Sequence, residues 1–178
     1  MESLVVTIVG ADRPGLVSLL SERGRQHGAS WEQSRMATLA GRFAGIVHFQ
    51  VPAASKAALT KALRDLESTG LNVQVVTGSG PADTKASPPR QLLRLELVGQ
   101  DRPGIVRDIS RALAELGISI QELTTEVKSA AMSGEHLFHA SALLQVPSSV
   151  ATADLQRVLE GLANELMVDV NLHEAAAV

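Results

Sequence analysis

The chain has no cysteine and no tyrosine, and only one tryptophan and three phenylalanines among 178 residues. Without thiols there is no disulfide framework, no thiolate nucleophile and no cysteine-based metal site, and the composition is compatible with a reducing compartment. Aromatics make up 2% of the chain against 45% hydrophobic residues overall, so its cores must be built from Leu, Val, Ile and Ala. Basic residues are also short: 16 Lys and Arg against 19 Asp and Glu leave a formal charge of −3 and a pI near 5.9. No Lys/Arg run offsets this balance, which argues against direct binding to DNA or RNA, where a basic patch must neutralise phosphate. Long apolar runs are missing too; none approaches the roughly 20 residues of a membrane span. The opening Met1-Glu2-Ser3 and the short apolar run behind it do not fit a secretory signal. A cytoplasmic protein with no membrane partner is therefore expected. No G-x-S-x-G, P-loop or dinucleotide fingerprint occurs, and no cofactor is expected.

What the chain does contain is a repeat. Val9-Gly10-Ala11-Asp12-Arg13-Pro14-Gly15-Leu16-Val17 returns as Val98-Gly99-Gln100-Asp101-Arg102-Pro103-Gly104-Ile105-Val106, with Gly15 and Gly104 standing 89 residues apart. Each copy follows an apolar run and opens a segment of helical periodicity, so a strand ends, the chain turns and a helix begins, twice. Around each copy the same order can be read. Leu4 to Val9 reads as a strand buried on both faces. A helix carrying Leu16, Val17 and Leu20 follows and stops at Gly28. Strands at Ser30 to Leu39 and Phe43 to Val51 are joined by a tight turn at Ala40-Gly41. A second helix spans Ser55 to Thr69, with Leu59, Leu63 and Leu66 on one face, and a last strand covers Leu71 to Val76.

The second half gives strand Leu92 to Gly99, helix Pro103 to Leu116 stopping at Gly117, strands Ser119 to Val127 and Leu137 to Val146, helix Thr152 to Glu165 and strand Val168 to Leu172. Pro52 and Pro147 stand 95 apart, so the second hairpin carries six extra residues, in the stretch from Lys128 to Gly134. That stretch reads as a mobile hairpin tip or a partner-contacting loop. The resulting division is unit 1 at residues 1–77, a Gly/Ser/Pro-rich linker at 78–90, unit 2 at 91–174 and a tail at 175–178. A β-α-β-β-α-β order of this size predicts an α+β fold of two ferredoxin-like units. Each should be an antiparallel sheet with helices packed on one face and its first and third strands central.

Asp-Arg-Pro-Gly between first strand and first helix, twice, each within a β-α-β-β-α-β unit, resembles the ACT domain family. Two such units with no enzyme attached are similar to the free-standing glycine cleavage system transcriptional repressor family. The resemblance implies that the units pair through their sheets and bind an amino acid, glycine or serine by family, where two units meet. The first turn and the start of the first helix would hold it. By position those are Gly10, Ala11, Asp12, Arg13, Pro14, Gly15 and Leu16 in one unit, and Gly99, Gln100, Asp101, Arg102, Pro103, Gly104 and Ile105 in the other. It also implies action through a protein partner rather than by reading bases.

The residues of the turn have their own physical reading. Asp12 and Asp101 fall where helix N-caps belong, with Pro14 and Pro103 in the first helical turn, where a missing N–H costs little. Each carboxylate would then bond to the amide of Gly15 or Gly104. The remaining free amides would suit a small carboxylate, and Asp or a carbonyl an ammonium. The same residues serve as a plain helix start whether or not anything binds. Arg13 and Arg102 are either anion partners or solvated. His136 and His139, three apart, point to opposite faces of a strand and could chelate together only in a helix, so no metal site is expected. His27, His48 and His173 stand alone, and Glu32 and Glu122 lack the nucleophile and orienting groups of an acid–base site. At the 89-residue offset Gly24 stands opposite Leu113 and Trp31 opposite Ile120; Trp31 is expected to fill the space that Gly24 leaves.

These readings converge on a non-enzymatic regulatory protein that senses an amino acid and signals to a protein partner such as a transcription factor. A homodimer formed through exposed edge strands is a further candidate assembly. Two other readings stay open: a ligand-independent dimerisation or assembly module, and a detached regulatory subunit of an amino-acid-pathway enzyme.

Overall fold

A computed structural model describes residues 1–78, 90–129 and 136–175. The expected linker at 78–90, apart from Gly78 and Arg90, lies outside the described residues. So do residues 130–134 of the expected hairpin loop and residues 176–178 of the expected tail. The chain divides into two compact units, Met1–Lys85 and Ala86–Val178.

In unit 1, β1 (Glu2–Ala11) leads into α1 (Leu16–Gln26), followed by β2 (Ser30–Leu39) and β3 (Arg42–Val51). Next comes α2 (Lys56–Arg64), flanked by 3-10 turns at Ala53–Ser55 and Asp65–Thr69, and then β4 (Asn72–Thr77). The sheet order is β2-β3-β1-β4, with every pair antiparallel. Unit 2 repeats this with β5 (Arg90–Gln100), α3 (Ile105–Glu115), β6 (Ser119–Ser129), β7 (His136–Pro147), α4 (Thr152–Leu166) and β8 (Val168–Glu174), ordered β6-β7-β5-β8. The first and third strands of each unit are central, as expected of the ferredoxin-like α+β layout.

The two-residue period of β1 explains the layering. Leu4, Val6 and Ile8 are buried against Leu16 and Leu20 of α1 and Leu59 and Leu63 of α2, whereas Thr7 and Val9 on the other face are exposed. Leu93, Leu95 and Leu97 of β5 meet Ile105, Ile109 and Leu113 of α3 and Leu155 and Leu159 of α4 in the same way. The cores are aliphatic, as the scarcity of aromatics demands.

Both edge strands β2 and β6 carry a bulge at the same place in the repeat. The register of β2 shifts between Trp31 and Gln33, and that of β6 between Ile120 and Glu122. An extra residue reverses which side chains face the helices beyond it. In β6, Leu123 and Val127 therefore pair with Ala142 and Phe138 on the helix side.

Helix ends follow the glycines: Gly28 (φ 67) and Gly117 (φ 70) take the left-handed conformation just past α1 and α3. The expected tight turn at Ala40-Gly41 is present, with φ of 49 and 72 and Leu39 paired to Arg42. Two positive φ values make it the type I′ hairpin turn whose twist suits the flanking strands. Ala40 bears a Cβ in a conformation that costs an L-residue about 1–2 kcal/mol. Ala40→Asn is accordingly expected to stabilise unit 1 by about 1 kcal/mol, read as a higher urea midpoint for Trp31 fluorescence.

Candidate functional site

The repeated turn is built identically in both units, and differently from the helix cap expected of its aspartates. β1 runs to Ala11, and the amide of Asp12 still bonds to the Gly41 carbonyl at 3.0 Å; that of Asp101 bonds to His136 at 2.9 Å. Asp12 and Asp101 therefore finish a strand. The N-cap residues are Gly15 (φ 91, ψ −2) and Gly104 (φ 103, ψ −13), and neither helix has a side-chain cap. The physical reason lies in Pro-Gly. Proline at the second position and a left-handed glycine at the third are the requirements of a type II turn, and that turn is completed before the helix starts. Gly15 and Gly104 accept the first helical hydrogen bonds, from Leu19 at 2.8 Å and Asp108 at 2.9 Å.

The aspartate carboxylates are consequently not spent on capping. Both residues are exposed, and neither carboxylate has a hydrogen-bond partner among the described residues. The first-turn amides of Leu16, Val17 and Ser18, and of Ile105, Val106 and Arg107, likewise have no side-chain acceptor. In an α-helix these are donors without an intrahelical partner, at the positive end of the dipole.

The two arginines stay at the surface of their units, and each bonds a backbone carbonyl there. Nη2 of Arg13 donates to the Thr69 carbonyl at 3.0 Å, and Nη2 of Arg102 donates to the Glu165 carbonyl at 3.2 Å. Thr69 is the last residue of the 3-10 turn that follows α2, and Glu165 lies in the last turn of α4; carbonyls at such ends lack helical partners and favour a cation. Sequence reasoning missed this role because the target is a backbone carbonyl far along the chain; the one available signal was that Arg recurs in both copies.

The remaining turn residues divide into scaffold and surface. Leu16 and Ile105 are buried in the cores. Gly10 is buried at the end of β1: a Cβ there would meet Leu71 Cδ2 at 2.6 Å, and one on Gly99 would meet Val168 Cγ1 at 2.4 Å. Their missing side chains make room for the start of the last strand, not for an approach from solvent. Ala11, Pro14, Gln100 and Pro103 are exposed.

The turns are not electrostatically equivalent. No acidic residue lies in the first turn of α1, whereas α3 has Asp108 there, its Oδ2 3.5 Å from where a Gly104 Cβ would be. Arg107 Nε donates to Asp108 Oδ1 at 2.8 Å. Farther along α1, hydrogen bonds from Arg25 at 2.6 and 2.8 Å hold the Glu22 carboxyl down at about 2, and Gln26 adds another at 3.0 Å. That pair is complete at neutral pH and is lost only as pH falls through about 2.

Elsewhere, His136 is exposed at the start of β7 and His139 half-buried within it, and His48 Nε2 lies 2.7 Å from the Ser3 hydroxyl. Glu32 sits in the β2 bulge. Among the described residues, no group of three or more His, Asp or Glu is placed to hold a metal ion, and no helix is long and apolar enough to cross a membrane.

Two family models of the ACT domain match the chain, one over residues 2–76 and the other over 93–139, each covering one copy of the turn. The chain belongs to the ACT domain family. Within it, the chain is 23% identical over 164 residues to the glycine cleavage system transcriptional repressor of Escherichia coli (strain K12), covering 92% of this chain and 85% of that protein. A stretch of 82 residues is 30% identical to a UPF0237 protein of Streptococcus mutans, covering 46% of this chain and 86% of that protein. Among solved structures, an unknown protein from Galdieria sulphuraria aligns with a TM-score of 0.82 and 31% identity over 98% of this chain and 99% of its own. A structure assigned as a glycine cleavage system transcriptional repressor aligns with a TM-score of 0.72 and 20% identity, covering 98% and 97%. Both ACT units thus have relatives in which the same fold recurs as a tandem pair.

Proposed function

We propose that this tandem ACT protein is a non-enzymatic regulator that senses a small amino acid and passes its state to a protein partner. The observation that carries the reading is the turn itself. In each unit an aspartate carboxylate and a row of helix amides, all without side-chain partners, stand within one short segment held rigid by a Pro-Gly turn and an arginine. A free amino acid matches that set: its carboxylate suits the amides and its ammonium the aspartate. Similarity to a transcriptional repressor along almost the whole chain supports a role in gene expression. The acidic charge balance favours a protein partner over bare nucleic acid. Glycine and serine are the first ligands to test.

The turn of unit 1 is the stronger of the two, because Asp108 brings a competing negative charge to that of unit 2. A thermal-shift screen against the standard amino acids tests the proposal. One of them should raise Tm saturably, by several degrees at about a hundredfold excess over Kd. Asp12→Ala should abolish the rise while leaving the unliganded Tm unchanged, and Asp101→Ala should weaken it less. Absence of any shift at millimolar concentrations would sink the sensing role. Capture of partners from lysate, with and without the active amino acid, then separates a transcription factor from an enzyme.

A further inference from the structure

Each unit packs two helices on one face of its sheet, but the seam between them differs. In unit 2 an open groove of about 320 Å³ runs between α3 and the C-terminal end of α4. It is lined by Asp108, Arg111, Ala112 and Glu115 on one side and by Leu162, Glu165 and Leu166 on the other. The floor is apolar, since Leu162 and Leu166 are only half-buried. The walls carry three carboxylates against one guanidinium. Arg111 Nε donates to Glu115 Oε1 at 3.0 Å, yet both side chains are more than half exposed, and such a surface pair is weak. Asp108 is engaged by Arg107, itself 79% exposed. The Glu165 carboxylate has no hydrogen-bond partner among the described residues. The last turn of α4 adds the negative end of its dipole.

α3 repeats α1 at the 89-residue offset, and unit 1 shows what fills such a seam. Arg23 stands in α1 where Ala112 stands in α3. Its Nη1 donates to Gln26 Oε1 at 3.3 Å, while its Nε is shielded from water without any hydrogen-bond partner. A guanidinium nitrogen shielded in this way is packed, not solvated, so Arg23 plugs the flank that Ala112 leaves open. Leu66, which follows Leu59 and Leu63 as Leu162 follows Leu155 and Leu159, is accordingly 1% exposed. Two changes therefore go together in unit 2. The filling arginine is reduced to a methyl group, and neutral Leu19 and Gln26 give way to Asp108 and Glu115.

We infer that the α3–α4 groove of unit 2 receives an arginine from a basic segment of a protein partner, seated as Arg23 is in unit 1. The aliphatic stem lies on Ala112, Leu162 and Leu166, which cover it as they would any apolar chain. The guanidinium faces the carboxylates of Asp108, Glu115 and Glu165, whose planar oxygen pairs match its fork as they would not match a lysine. This assignment rests on the reading that the protein signals through a partner, and it fixes what that partner offers.

Amide chemical shifts of the isotope-labelled full chain test this, with no amino acid added. The probe is a short blocked peptide with two arginines one helical turn apart and a leucine between them. Saturable shifts should gather on α3 and α4 around Ala112 and Leu162 and spare α1 and α2. The same peptide with lysine for arginine should bind at least about fivefold more weakly. Ala112→Arg, which copies the plug of unit 1, should abolish binding without lowering the thermal melt. Glu115→Gln/Glu165→Gln, at exposed positions, should weaken it about tenfold with the fold intact. Asp12→Ala/Asp101→Ala, which removes sensing, should leave peptide binding unchanged. Absence of saturable shifts on α3 and α4 would overturn the inference. So would equal binding of the lysine peptide, or binding that survives Ala112→Arg. A partner captured equally by the wild type and by Ala112→Arg would sink the groove and leave the partner reading standing.

Discussion

Phe49→Ala is expected to destabilise unit 1 by about 3–5 kcal/mol, the range of a large-to-small change at a fully buried aromatic, read from the urea transition of Trp31 fluorescence. Phe49 is 1% exposed, and its ring lies over Gly24 of α1, where an added Cβ would come within 2.7 Å of Cε1. The space at Gly24 is therefore filled by Phe49, not by Trp31 as the alignment of the halves suggested. Trp31 is half-buried and packs edge-on against Phe49, with ring centroids 5.2 Å apart and planes at 77°. Its own replacement by alanine should cost less, about 2 kcal/mol. Unit 2 solves the same packing problem with two leucines, Leu113 on the helix and Leu144 on the strand, both buried. Gly24→Leu alone should overpack by about 1–3 kcal/mol. Combined with Phe49→Leu it reproduces the pair of unit 2, and a coupling of about 2 kcal/mol between the two changes is expected. Additive losses would show that the helix–strand spacing, not side-chain volume, distinguishes the units.

The second large effect is expected at Gly99. A Cβ there would meet Val168 at Cγ1 (2.4 Å), Cβ (2.9 Å) and Cα (3.0 Å), so both backbone and a β-branched carbon stand in the way. Neither moves without shifting the start of β8. Gly99→Ala is expected to cost unit 2 about 3 kcal/mol, at the upper end of overpacking. At Gly10 the nearest atom is the far end of a leucine, Leu71 Cδ2 at 2.6 Å, which can rotate aside. Gly10→Ala should therefore cost only about 1 kcal/mol. Guanidinium melts followed by circular dichroism check the ordering; equal losses would refute the contrast between a rigid and a yielding neighbour.

Much of the fold is legible along the chain because one physical period dominates each element. Leu4, Val6 and Ile8 alternate, Leu59, Leu63 and Leu66 recur at helical spacing, and Gly28 and Gly117 mark helix ends at the same point of the repeat. Legibility fails where geometry is decided by a single extra residue or by a distant atom. Read at period two from Ile120, β6 would turn Glu122, Thr124 and Glu126 toward the helices. The bulge reverses that, and nothing in the composition of Gln121 announces it. At the turns, aspartate two residues before proline reads as a helix cap, yet Pro-Gly inserts a complete turn first, so the helix starts at Leu16 and Ile105. The repeated turn is legible from its repetition, while the arrangement of its parts, with carboxylates not used as caps and guanidiniums bonded to carbonyls, depends on contacts in three dimensions.

The arginine bonds join positions 56 and 63 residues apart, and this bears on how each unit breathes. A turn on its own would be among the first segments to exchange its amide protons, opening independently of the rest. Tied to the carbonyl that closes the 3-10 turn after α2, or to one in the last turn of α4, it is coupled to the opening of that segment. Any event that stiffens the turn then also slows exchange in the 3-10 turn after α2 or at the far end of α4, at the threshold of the final strand.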